Sequence, residues 1–337
     1  MSAARYDFAS DNVVGAMPEV MAALAQANAG AVTGYGADEI TARAADLIRA
    51  LVDADAEVRF TASGTAANAL SLAALAQPHE AVCCHEHSHI ATDEAGAPGF
   101  FGAGLGLSLL PGKGGRIELA ALEAVLAQPD VSYRQPPGAL SLTNATEFGA
   151  VYAERELAPL TVAARARGLR VHLDGARLSN AVAAGFDVRA LGRLGVDIAV
   201  LGGTKAGASP SEAIVVFDRA LARRLDARMK HAGQLVSKAR FLAAPWIGML
   251  ESGAWTTRAA HANAMARRLA ALMPFPLAHP VEANGVFVEM DEAALGRLRE
   301  AGWFVYRFLD GSVRFMCSWA TTPEMVDELG AALKRIA

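Results

Sequence analysis

The chain has 337 residues, 53% of them hydrophobic, and a formal net charge of -4. That length accommodates one large domain and a smaller one around a substantial core, and the composition excludes disorder and gives no electrostatic footprint for nucleic acid or an anionic membrane. Residues 1–13 lack an apolar signal core, no apolar run is long enough to cross a bilayer, and Cys83, Cys84 and Cys317 form no disulfide framework, so the expected address is the cytoplasm.

Residues 1–20 are polar and irregular around Ser10, Asp11 and Asn12 and turn helical after Pro18, which with Met21, Leu24 and Ala25 fits a helix start and its apolar stripe. TGYGA (33–37) is a loop carrying Tyr35, and 41–51 reads as an amphipathic helix. Residues 58–61 form a short strand, then come Ser63, Gly64 and Thr65, then a helix over AANALSLAAL. Strand, small polar turn and helix make an anion site, because free N–H groups and the helix dipole point at the ligand. Ser63, Gly64 and Thr65 are therefore the expected phosphate cradle, with an ordinary capped helix start as the alternative.

Residues 81–85 are the next strand. His85, His87 and His89 would share one face if it continued, and could then hold zinc or nickel. The apolar run ends near Cys84, which argues against that arrangement. The glycine-rich stretch 99–115 has no GxGxxG at a strand–helix junction. A strand at 107–110, a helix at 119–126, a loop at 128–137, a strand at 139–143 and a helix at 157–167 follow.

The next two stretches carry chemistry. LRVHLDGARL (169–178) is a strand with Asp174 at its end. VDIAVLGGTKAGASPSEAIVVF (196–217) holds two strands, 198–201 and 213–217, with Lys205 between them among glycine, alanine and serine. Those small side chains leave room beside the lysine. Ligands of open α/β sheets sit outside the carboxyl ends of the strands. A desolvated lysine amine is the usual Schiff-base carrier. Pyridoxal phosphate needs that lysine and an acid facing its ring nitrogen, and Asp174 and Lys205 lie one strand-plus-helix step apart. Taken singly, Asp174 reads as a helix cap and Lys205 as a surface residue. Arg177 turns back toward the same cleft, and Arg314, in VRFMCSW, sits in a late apolar strand where an unpaired arginine is costly. A salt bridge is the alternative for each.

Residues 221–229 form a basic amphipathic helix and 258–272 a long one; Pro274, Pro276 and Pro280 mark a linker. Strands at 286–290, 303–308 and 313–317, with helices at 292–301 and 324–336, make a small α+β unit. The expected division is an N-terminal segment and large domain over 1–240, then a linking helix and small C-terminal domain over 241–337.

Eight segments in order, FASDNVVGAMPEV (8–20), GYGADEIT (34–41), FTASGTAANAL (60–70), HSHIATDEAGAP (87–98), HLDGARLSNA (172–181), GGTKAG (202–207), SKARFLAAPW (237–246) and VRFMCSW (313–319), span almost the whole chain. The set resembles the low-specificity L-threonine aldolases of the β-eliminating lyase type, fold-type-I pyridoxal phosphate enzymes that include phenylserine-cleaving relatives. The resemblance implies an α/β fold with a mostly parallel seven-stranded sheet, helices on both faces and a small C-terminal α+β domain. It implies cleavage of threonine, allo-threonine or phenylserine-like substrates to glycine and an aldehyde. It gives Lys205 the Schiff base, Asp174 the ring nitrogen and His89 the stacking ring; His89, directly or through a water, is also the favoured base, and Glu94 is expected to orient it or another group of the site. Ser63, Gly64, Thr65, Arg177, Thr204 and Lys238 would contact the cofactor, with Lys230 a further candidate. Arg177 and Arg314 would hold the substrate carboxylate, with Ser10 and Tyr35 lining the site, Tyr35 toward a neighbouring subunit. A homodimer or homotetramer with sites at the dimer interface is implied. Many relatives carry a histidine proposed as base in the segment where Asn144 to Glu147 stand here, so the base stays open. β-Elimination on another amino acid and a catalytically silent cofactor binder are the alternatives.

Overall fold

The computed structural model describes residues 4–337. Seven strands build the central sheet: β1 (Glu57–Thr61), β2 (Ala81–His85), β3 (Gly106–Leu110), β4 (Pro137–Thr143), β5 (Arg170–Gly175), β6 (Ile198–Gly202) and β7 (Glu212–Val216). Their order is β1-β7-β6-β5-β4-β2-β3. Every pairing is parallel except those of β7, which runs antiparallel to β6 and β1. This is the mostly parallel sheet expected from the sequence.

The inner strands are largely apolar on both faces because helices cover both. Successive side chains point to opposite sides, and the packing follows that period. Val82, Cys84, Ile198, Val200, Ile214 and Val216 pack with the helices Gly64–Leu75 and Ala222–His231. Their neighbours Cys83, Ala199, Leu201, Ala213 and Val215 join the opposite core with the helices Glu39–Val52, Glu154–Ala166 and Arg240–Glu251. Val171 and Leu173 belong to that second core, so His172 and Asp174 of β5 face the helix Gly64–Leu75.

A second sheet, antiparallel in the order β8-β10-β9, comprises β8 (Gly285–Val288), β9 (Tyr306–Arg307) and β10 (Val313–Met316). With the helices Glu292–Glu300 and Pro323–Ile336 it forms the small α+β unit. β9 is shorter than the expected 303–308. Trp303 and Phe304 are diverted to the N-terminal segment: Arg5 N–H donates to Gly302 O at 2.7 Å, and Phe304 N–H to Arg5 O at 2.9 Å.

The packing departs from the expected division at residue 240. Phe8 lies in the small unit's core, and Met316 N–H donates to its carbonyl at 2.9 Å. Trp246 and Trp255 lie in the large core, and the helix Ala254–Leu272 runs from one core, through Ala254 and Trp255, to the other, through Ala266 and Leu269. Among the described residues no helix is long and apolar enough to cross a membrane, and all three cysteines are buried and free.

Candidate active site

The segments after the carboxyl ends of β2, β4, β5 and β6 converge, as open α/β sheets dictate for a ligand site. With the N-terminal segment and the small unit they enclose a cleft of about 410 Å³, lined among others by Ser10, His89, Glu147, Arg177, Lys205 and Arg314. A larger hollow of about 590 Å³ lies at the amino ends of β2 and β4, lined by residues such as Glu80, Ser108 and Gln135, and gathers no comparable chemistry.

Asp174 is buried at the end of β5. Its Oδ1 accepts from Ala176 N–H and its Oδ2 from the Asn68 amide, each at 2.9 Å. Asn68 Nδ2 also donates to Glu94 Oε1 at 2.9 Å, and Glu94 Oε1 bonds His89 Nδ1 at 2.9 Å. Asp174, Asn68, Glu94 and His89 thus form one chain of hydrogen bonds through the floor of the cleft. The bond to Glu94 raises the His89 pKa against the opposing effect of its burial. Burial raises that of Glu94.

Lys205 stands in the turn between β6 and β7. Glu212, opposite Gly202 in the antiparallel register, accepts from Gly203 N–H at 2.7 Å. Thr204 Oγ1 accepts from Ser211 N–H at 3.2 Å, so the Thr204 hydroxyl is used inside the turn. Burial pushes the Glu212 carboxyl up to about 7. The glycines here are required by close approach, not by space for a ligand. A Cβ at Gly203 would meet Ser211 O at 2.3 Å, and one at Gly207, whose φ is +107°, would meet Met17 and Trp319 at 2.7 Å. The room expected beside the lysine is therefore filled by protein, and the free volume lies in the cleft ahead of its amine. Among the described residues the Lys205 amine makes no hydrogen bond or ion pair.

The two arginines differ. Arg177 is buried and paired with Asp11 through Nε at 2.7 Å and Nη2 at 3.0 Å, which realises the salt-bridge alternative for that residue. Asp11 also accepts from Asn284 Nδ2 at 3.1 Å, and its carboxyl is held down to about 2 by Arg177 despite complete burial. Arg314 has no carboxylate partner among the described residues. Its Nε is buried and unpaired, and its guanidinium lies 4.6 Å from the Phe308 ring centroid. Burial lowers its pKa. An unpaired buried donor on a cation is what an anionic group entering the cleft would satisfy.

The helix Gly64–Leu75 begins beside Thr61, which pairs with Glu212. Ser63 Oγ accepts from Ala66 N–H at 3.3 Å, and the N–H groups of Gly64 and Thr65 have no protein acceptor among the described residues. A Cβ at Gly64 would meet nothing within 4 Å. The capped start and the anion site expected there are thus compatible. These donors, the Asp174 carboxylate, the flat imidazole of His89 and the free Lys205 amine fit a phosphorylated, cationic aromatic cofactor.

Three expected contacts are not brought together within one chain. Tyr35 is exposed, its N–H donates to Ser237 O at 3.0 Å, and its ring centroid is 4.9 Å from Lys230 Nζ. With Phe60 and Met229 it lines a separate groove of about 440 Å³. Lys238 and Lys230 are exposed and lie outside the Lys205 cleft. The three histidines do not share a strand face: β2 ends at His85, and His89 opens a short helix. Although His85, Glu86 and His87 come close together, both His85 ring nitrogens are engaged, Nε2 with Gly112 O and Nδ1 with His87 N–H, each at 3.0 Å. Asn68, Asp11 and Glu212 were not singled out from the sequence. Asn68 alone left a signal, an amide inside the apolar run AANALSLAAL.

Residues 7–293 match the model of the family described as beta-eliminating lyase. Two curated relatives, low specificity L-threonine aldolases of a Pseudomonas strain and of Pseudomonas aeruginosa, are 45% and 46% identical over 98% of this chain and 97% of their own length. The solved threonine aldolase of Leishmania major is 29% identical with a TM-score of 0.93, covering 99% of this chain and all of that one. Serine palmitoyltransferase of Sphingomonas wittichii, at 14% identity and a TM-score of 0.72 over 99% of this chain and 86% of its own, shares the fold alone, the fold of type-I pyridoxal phosphate enzymes. Similarity at this level over nearly the full length places the chain in the threonine aldolase group of the β-eliminating lyase family.

Proposed function

We infer that this protein is an aldehyde-lyase that uses pyridoxal phosphate to cleave L-threonine and related β-hydroxy-α-amino acids to glycine and an aldehyde. The observation that carries the reading is the hydrogen-bonded chain from Asp174 through Asn68 and Glu94 to His89, set in one cleft with a free Lys205 amine. When bound, the cofactor supplies an electron sink for the pair released at the substrate's α-carbon. Lys205 would hold it covalently, Asp174 would keep a proton on its ring nitrogen, and His89 would lie against its face. The start of the helix Gly64–Leu75, with Ser63, Gly64 and Thr65, would take its phosphate.

Arg314, with its unpaired Nε, would bind the substrate carboxylate, and Arg177 would add its remaining Nη1 from a position fixed by Asp11. Fixing that carboxylate would set which bond at the α-carbon is placed to break, and such positioning is worth several powers of ten in rate. We place Tyr35 and Lys238 in the site of a second copy of the chain, as a dimer would allow. The reading is supported by their exposure and by their absence from the cleft of their own chain. Three free buried cysteines fit residence in the reducing cytoplasm.

The test is the visible spectrum of the purified protein before and after L-threonine and then L-phenylserine, with aldehyde assayed in parallel. A cofactor band that Lys205→Ala abolishes, with aldehyde released by the wild type, is expected. Ammonia and an oxo acid in place of glycine and aldehyde would sink the retro-aldol reading.

A further inference from the structure

The turn after β4 carries three polar side chains, Asn144, Thr146 and Glu147. Two are buried and spent on backbone. Asn144 Oδ1 accepts from Tyr152 N–H at 3.1 Å and its Nδ2 donates to Tyr152 O at 3.2 Å. Thr146 Oγ1 donates to Gly114 O at 2.7 Å and accepts from Ala150 N–H at 3.1 Å. Bonds from Thr146 N–H to Ala150 O and from Gly149 N–H to Thr146 O, at 2.8 and 2.9 Å, close the turn. A turn pinned this way fixes the position of its third polar residue.

Glu147 is half-buried and lines the cleft with Lys205, His89 and Arg314. Among the described residues it makes no hydrogen bond and no ion pair, although its charge acts on His89, Arg177 and Arg314. Arg177 already has Asp11, and Arg314 keeps a buried Nε without a partner. Glu147 is therefore a free acceptor inside a reaction cleft, held by a rigid turn. The ring of His89, by contrast, is tied at Nδ1 to Glu94, and on the reading above it is set against the cofactor's face.

We propose that Glu147 accepts the hydrogen bond of the substrate's β-hydroxyl and takes its proton as the Cα–Cβ bond breaks. The O–H pair becomes the second bond of the aldehyde carbonyl. The Cα–Cβ pair stays with Cα, and one proton returned to Cα yields glycine and restores the carboxylate. This rests on the retro-aldol reading and names its proton acceptor, moving that task from His89, which keeps the place against the cofactor's face.

The test compares holoenzyme with Glu147→Gln, a side chain of the same size that cannot take up the proton. Cofactor absorbance and the glycine dissociation constant, measured by spectral titration, report binding without a β-hydroxyl. Both are expected to stay within about twofold of wild type, while turnover of L-threonine falls about 100-fold or more. Turnover within about threefold of wild type overturns the proposal. So does a loss of cofactor or of glycine affinity that matches the loss of turnover, because that would mark Glu147 as a binding or structural residue. Wild-type protein that releases no aldehyde would instead sink the retro-aldol reading itself.

Discussion

One carboxylate oxygen, Glu94 Oε1, receives both the Asn68 amide and the His89 ring, and through them His89 is fixed relative to Asp174. His89 is held above its ordinary value of 6.5 first by that bond. The stability contributed by its proton is present below pH 6.5 and is lost as pH rises through the raised folded value. Glu94→Gln keeps the shape and removes the charge. The His89 titration, followed by NMR of the ring protons, is then expected to move down, with the low-pH gain in stability reduced. An unmoved titration would show that Glu94 does not set the charge of His89. Asp174, Lys205 and His89 were legible in the sequence because each sits in a short segment with its own pattern. Asn68 and Asp11 were not, because their meaning lies in partners 106 and 166 residues away, which only the folded sheet brings close.

At the scale of elements, the turn between β6 and β7 places the lysine by excluding everything larger than glycine behind it. Gly203→Ala would press a methyl against Ser211 O at 2.3 Å and Trp246 at 3.0 Å, both in packed surroundings. The expected cost is about 1–3 kcal/mol, read as a lower denaturant midpoint, together with weaker cofactor retention. A midpoint unchanged from wild type would mean that the turn yields at no cost. The strands of the large sheet were readable because buried parallel strands are short continuous apolar runs. The helix Glu154–Ala166 begins a turn earlier than its apolar pattern, since its first residues, Glu154 to Glu156, face solvent and its start is set by Glu156 reaching back to Ala153 N–H at 2.8 Å. β9 was overread because an apolar run records that a segment is buried, not which neighbour takes its backbone. Here the neighbour is Arg5.

For the whole molecule, the position of Tyr35 outside its own cleft leads to a test of assembly. If a second copy supplies Tyr35, mixing inactive Lys205→Ala with weakened Tyr35→Ala subunits creates hybrid dimers with one intact site. Activity is expected to recover to about a quarter of wild type when subunits exchange freely. Absence of recovery, with exchange demonstrated independently, would confine Tyr35 to its own chain. The N-terminal segment is the other feature of this scale. Phe8 is anchored in the small unit, Asp11 grips Arg177 of the large one, and Met17 sits in the large core. This joins residues 8–17 to strands that follow the whole of the large sheet in sequence. As the chain leaves the ribosome, the large sheet can form once β7 has emerged, but Phe8 has nowhere to dock until β8 and β10 exist. The guanidinium of Arg177 must meanwhile wait for Asp11 to be drawn into place. A cleft lined by both Ser10 and Arg314 can thus be complete only after β10 has emerged, however early the large sheet forms.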